Sequence, residues 1–213
     1  MIRGIENFIV KISASIGLSV PEKHMYYEHL LEKYNSSDSY LHLIEKTTEL
    51  ACCETLSEIS FSPTLKFSSS SESLLINFKK KNFVCSQKTE LHTEVFLYKM
   101  LIGKHKVRIE LHFFNNSLFY YKYFFSRVNE TEKLELLSLL YNKYLNKDVY
   151  QPVELIRDTR ANYIYIDSSV GFTLNYFNAS HRFFSIIHQQ AIEKVRATEQ
   201  KNNSKVKELY SRL

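Results

Sequence analysis

The chain has 213 residues, of which 44% are hydrophobic and 24% charged, with a net charge of +5. That length and apolar content supply one sizeable core and exclude a wholly disordered chain. The positive excess is mild and scattered, with Lys79-Lys80-Lys81 its densest run, so it is compatible with acidic partners or nucleic acid without demanding either.

Met1 to Val20 is interrupted by Arg3, Glu6 and Lys11, which makes it neither a secretory signal nor a membrane span. Ile5, Phe8, Ile9, Ile12 and Ile16 have helical spacing, and Gly17 and Pro21 then break the chain. Residues 22–34 and 38–58 read as two helices split by Asn35-Ser36-Ser37, with Ser37 or Asp38 as the cap. Leu41, Ile44, Leu50 and Leu56 form the apolar stripe of the second. Cys52 and Cys53, adjacent on that helix, would point to different faces. With Cys85 they make an odd count, which fits free thiols in a reducing, cytoplasmic compartment.

Residues 61–73 are Ser-rich and read as a loop or an edge strand. Leu74–Phe78 and Asn82–Cys85 read as strands joined through the triple lysine. The next stretch carries the strongest signal. Val107, Ile109, Leu111 and Phe113 alternate with Lys106, Arg108, Glu110 and His112, the period of a half-buried strand. Gly103-Lys104 suits a type II′ hairpin and sets Met100, Tyr98 and Phe96 opposite Val107, Ile109 and Leu111. For the following turn, Asn115-Asn116-Ser117 as a three-residue loop sets Phe113 by Phe119, Leu111 by Tyr121, Ile109 by Tyr123 and Val107 by Phe125, with Glu110 opposite Lys122. A two-residue turn would instead put Ile109 opposite Lys122.

Asn129 to Glu132 starts a helix through Leu134, Leu137, Leu140 and Tyr144. Residues 147–160 read as a loop. Its charged group Glu154, Arg157, Asp158 and Arg160 reads as solvated, with weak local ion pairs. Ala161–Asp167 and Val170–Phe177 form a second hairpin. Asn178 or Ser180 caps a long C-terminal helix whose stripe runs Phe183/Phe184, Ile187, Ala191 and Val195, fades, and resumes at Val206, Leu209 and Leu213. The expected fold is therefore α+β: an antiparallel β-meander plus hairpin in one sheet, helices on one face, and a long C-terminal helix. One domain spans 1–213, with a helical N-terminal segment to residue 60, the sheet with one inserted helix over 61–177, and the C-terminal helix from 178. The order of helix, three strands, helix, two strands, helix is similar to that of type III secretion chaperones. The basic charge and the extra N-terminal third depart from that family's acidic, compact character.

No phosphate loop, HExxH, CxxC or GxSxG occurs, and no cofactor or metal is expected. His92-Thr93-Glu94 lacks the Pro-Cys-x-x-Cys that a zinc deaminase requires. His181 and His188 sit two helical turns apart, too far for one metal, and read as capping or solvated. The second face of the meander is mixed. It carries Val95, Leu97, Lys99 and Leu101, then Lys106, Arg108, Glu110 and His112, then Leu118, Tyr120, Lys122 and Phe124. Aromatics among bases fit a recognition face, and a covering helix with lysine stems lying on the sheet is the competing account.

Lys99, Arg108, His112, Tyr120, Lys122 and Phe124 are the candidate binding residues. The function expected is a non-catalytic bacterial partner-binding protein, of the toxin-neutralising immunity or secretion-chaperone kind, acting through this face and the C-terminal helix. The alternative is nucleic-acid binding through the same face and Lys194, Arg196, Lys201, Lys205, Lys207 and Arg212, diluted by Glu193, Glu199 and Glu208. A third reading, an enzyme or ligand carrier with a tyrosine-lined pocket, is lowered by scarce glycine and the lack of paired carboxylates.

Overall fold

The computed structural model describes residues 31–77, 82–146, 153–169 and 171–212, together with Tyr27 and His29, and side chains as far as Asn202. The helix expected over 5–16, most of that over 22–34, and the triple-lysine turn lie outside the described residues. A 3-10 turn (Lys33–Asn35) leads into α1 (Asp38–Glu49) and β1 (Cys52–Thr55). Then come α2 (Ser71–Asn77), β2 (Phe83–Lys88), β3 (Thr93–Ile102), β4 (His105–Phe114) and β5 (Ser117–Phe125). The chain ends with α3 (Glu130–Leu145), β6 (Leu155–Asp158), β7 (Asn162–Asp167), β8 (Phe172–Asn178) and α4 (Arg182–Arg212). The eight strands form one sheet in the order β1-β6-β7-β8-β5-β4-β3-β2. All neighbours are antiparallel except β1 and β6, so the sheet is mixed.

The meander is built from its alternation. Met100 pairs with Val107, Tyr98 with Ile109 and Phe96 with Leu111. Gly103 has φ +58° and Lys104 is not left-handed, as a type II′ turn requires. Between β4 and β5 the pairs Val107–Phe125, Ile109–Tyr123, Leu111–Tyr121 and Glu110–Lys122 all form. The turn that produces them differs from the expected one. It has two residues, Asn115 and Asn116, both left-handed (φ +48° and +61°), so Phe113 pairs with Leu118 rather than Phe119. A β-bulge at Phe119 then shifts the register by one, which restores the core pairs further along. The bulge also turns Phe119 and Tyr120 to the same side, where both are buried.

Three other segments depart from expectation. The helix expected over 38–58 stops at Glu49, and Leu50 is already extended (φ −101°, ψ 146°). Thr47 and Thr48 turn their hydroxyls onto the carbonyls of Ile44 and Glu45, weakening the last turn, and Cys52–Thr55 leaves to pair with β6. Residues 74–77 are helical rather than strand, since so short an apolar run fits either period. The Asn116 side chain accepts from Ser71 N–H (2.8 Å) and Ser71 Oγ–H (2.7 Å) and donates to Glu72 (2.8 Å), so the β4–β5 turn caps α2. The loop expected over 147–160 contains β6, and the rest of it as far as residue 152 lies outside the described residues.

Helices lie on both faces, not one. The first face, with Phe96, Tyr98, Val107, Ile109, Leu111, Tyr121 and Tyr176, is closed by Leu140, Tyr141 and Tyr144 of α3 and by Ile59, Leu65 and Leu74. The second face, with Val95, Tyr120 and Phe177, is closed by Leu31, Tyr34, Tyr40 and Leu43 and by Phe183, Phe184 and Ile187 of α4. Asn129 and Glu132 form a capping box at the start of α3. At the other covering helix, His181 Nδ1 accepts from Phe183 N–H (3.2 Å), so this histidine is a cap.

Candidate functional site on the second face

The second face divides into an enclosed half and an open half. In the enclosed half Glu110, at the middle of β4, is fully buried. An ionised carboxylate there requires partners. Arg108 Nε donates to Glu110 Oε1 at 3.0 Å, Lys122 Nζ lies 3.2 Å from Oε2, and the Tyr34 hydroxyl donates to Oε2. Lys122 Nζ also donates to the Tyr34 hydroxyl at 3.1 Å. Burial alone would push the Glu110 carboxyl up. Lys122, with Lys33 and Arg108, outweighs it and holds the group well below the usual carboxylate range.

Beside this network Tyr40 Oη lies 3.0 Å from His112 Nδ1 and 3.3 Å from Thr93 Oγ1. Tyr120 donates to Asn175 Oδ1 at 2.9 Å. Burial pushes the His112 imidazole well below its ordinary value, and Lys122 and Lys33 reinforce this against Glu110. Its Nε2 is buried without a hydrogen-bond partner, 4.0 Å from Glu110 Oε2. Tyr34 and Tyr40 come from the turn and helix that cover the sheet. The network therefore ties the N-terminal part of the described chain to the central strands.

His112, Tyr120 and Lys122, expected on an open face, are thus 0%, 2% and 8% exposed and present no recognition surface. The charges of the central strand are reconciled with burial by being paired. Lys99, Arg108 and Phe124 lie elsewhere, on the open half. With Tyr27, Lys106 and Leu101 they line a cleft of about 760 Å³ at the far end of β3, β4 and β5. Lys99 donates to the Tyr27 hydroxyl, and the Arg108 guanidinium lies 4.4 Å from the Phe124 ring centre. The described lining holds three cations and no carboxylate. Leu101 is 65% exposed at its rim.

Tyr27, Leu101 and Lys106 of the cleft, and both covering tyrosines, lie outside the six candidate binding residues. The available signal was Glu110 itself, since a carboxylate in a strand of core pairs calls for donors from above. The charged loop is not wholly solvated. Asp158 is buried and accepts from Ile59 N–H (2.9 Å), Arg160 N–H (2.8 Å), and Asn162 N–H (3.0 Å) and Nδ2–H (2.8 Å). Arg160 pairs with Glu58 at 2.8 Å. Among the described residues no group of three or more His, Cys, Asp or Glu has the placement to hold a metal, and no helix is long and apolar enough to cross a membrane. None of the three cysteines forms a disulfide. Comparison with family models, characterised proteins and solved structures gives no match.

Proposed function

We propose that the chain is a non-catalytic protein-binding module that recognises an acidic segment of a partner through the open half of the second face. The supporting observation is the cleft lined by Lys99, Lys106 and Arg108, with no carboxylate among its described lining residues. The Arg108 charge is offset by the Glu110 carboxylate, whereas Lys99 meets the neutral Tyr27 side chain, so Lys99 and Lys106 are the cations on which the reading rests. Phe124 and Leu101 add apolar surface beside them, the combination that interface cores favour. The enclosed network serves this reading by fixing the strands that carry the cleft. Nucleic-acid stacking would have to rely on Phe124 and Tyr27, because Tyr120 is buried.

The test is a fluorescence anisotropy titration of the full chain against a labelled Glu-rich peptide bearing interspersed aromatic residues. A single-stranded oligonucleotide serves as the second probe. Saturable peptide binding, lost in K99E/K106E, supports the reading. Tighter oligonucleotide binding with a steep salt dependence overturns it in favour of nucleic acid.

A further inference from the structure

The basic cleft lies where the sheet loses its outer strand. β3 is ten residues long, and β2 pairs with it only from Glu94 to Tyr98. Among the described residues no strand pairs with Lys99 to Ile102 on the side away from β4. The register of β2 shifts between Phe83 and Cys85, at its very start, and shifts of this kind end pairing at sheet edges. The last four residues of β3, about 13 Å at the rise of a strand, therefore form a short edge. Lys99 and Leu101 of that edge line the cleft, and Asn82 lines it where β2 begins. Leu101 is 65% exposed and Ile102 38%.

The hairpin sets the direction of the backbone groups along this edge. Ile102 and His105 flank the two-residue Gly103-Lys104 turn, which makes them a hydrogen-bonded pair. Bonded and non-bonded pairs alternate along an antiparallel ladder. Met100 and Ile102 thus turn their N–H and C=O groups toward β4, and Lys99 and Leu101 turn theirs away from it. Lys99 and Leu101 also carry their side chains on the second face, opposite Arg108 and Lys106 of β4. Outward backbone groups and the cationic face therefore coincide at the same two residues. A strand laid along this edge would sit about 4.8 Å from β3. Run antiparallel, its residues opposite Lys99 and Leu101 exchange backbone bonds with them and point to the second face. Carboxylates at those two positions meet Lys99 and reach toward Lys106. The residue between them falls on the first face beside Met100, which packs against the apolar core there, so an apolar side chain fits. We propose that the partner's acidic segment binds as an added strand, antiparallel to β3 along Lys99–Ile102, with its acids at alternate positions. This rests on the acidic-segment reading of the cleft and adds the backbone mode and the acid-x-acid spacing.

Fluorescence anisotropy with the full chain reads the mode from labelled peptides of alternating Glu and Val. One is unmodified, one is N-methylated at every Glu and one at every Val. A further peptide places all its Glu before all its Val, with the same composition and charge. The alternating peptide should bind, and K99E/K106E should abolish it. N-methylation at Glu removes the donors aimed at β3 and should weaken binding roughly tenfold or more, whereas N-methylation at Val should change it little. The block peptide should also bind roughly tenfold more weakly, because it cannot set acids on one face. Amide hydrogen exchange read by NMR should slow at Lys99 and Leu101 in the complex and stay unchanged at Met100 and Ile102. Any other methylation pattern, a block peptide that binds as well, or no added protection at Lys99 and Leu101 would overturn strand addition. Binding that K99E/K106E abolishes would then leave the acidic-segment reading standing. If neither these peptides nor the Glu-rich aromatic peptide binds, both readings fall.

Discussion

Lys122 and Glu110 give the sharpest perturbation of the account. Lys122→Met removes one of two cations touching a fully buried carboxylate and leaves Arg108 Nε at 3.0 Å and the Tyr34 hydroxyl in place. Breaking a buried pair by deleting one partner costs about 3–5 kcal/mol. The surviving contacts put this change near the lower end, about 3 kcal/mol. Glu110→Gln leaves Lys122 at 8% exposure beside a neutral amide, with a similar cost. The double variant Glu110→Gln/Lys122→Met strands no buried charge, because Arg108 is close enough to solvent to turn outward. It should therefore cost no more than either single change, a coupling of about 3 kcal/mol. Urea unfolding followed by near-UV circular dichroism reads all three, against a total stability of about 5–15 kcal/mol. Single costs below about 1 kcal/mol, or costs that simply add, would refute the reasoning that the pair is mutually dependent.

Acid should destabilise the fold through two groups. Glu110 is depressed, so its contribution is complete above the ordinary glutamate value and is lost as pH falls toward its folded one. His112 is also depressed, so below about pH 6.5 the unfolded chain takes up a proton that the folded chain refuses, and stability falls by up to about 1.4 kcal/mol per pH unit. His112→Gln should flatten urea midpoints between roughly pH 6.5 and 5, and an unchanged slope would remove His112 from the account. Asn116→Ala strains a left-handed residue (φ +61°) and uncaps α2. A loss of about 2 kcal/mol in urea unfolding is expected, and wild-type stability would contradict the capping role. Asp158→Asn sets an amide against donors that now face a carboxylate. About 2 kcal/mol should be lost, and an unshifted urea midpoint would count against it.

The meander was legible because period-two alternation and opposing charges fix register over long pairs, and Glu110–Lys122 formed as expected. The local route to it was not legible. A two-residue turn plus a bulge gives the same distant pairs as a three-residue turn, and alternation does not distinguish them until the bulge turns Phe119 and Tyr120 to one side. β1 was missed because it is four residues long and pairs with β6 about a hundred residues away, and β6 because it is equally short and its Arg157 and Asp158 read as part of a charged loop although it also pairs with the nearby β7. The candidate site was legible as a mixed face but not as two halves. Which lysine is enclosed depends on where Tyr34 and Tyr40 land, a tertiary fact without a local pattern. Lys99, Arg108 and Phe124 remain at the cleft, and His112, Tyr120 and Lys122 became its support.

The most direct measurement of the central claim is affinity capture with the full chain and with K99E/K106E in parallel, quantified by mass spectrometry and followed by titration of the captured protein. The account predicts a partner with an acidic segment, retained by the wild-type chain, lost with the double charge reversal, and weakened by salt as exposed charge pairs are. A partner held equally by both chains would contradict it.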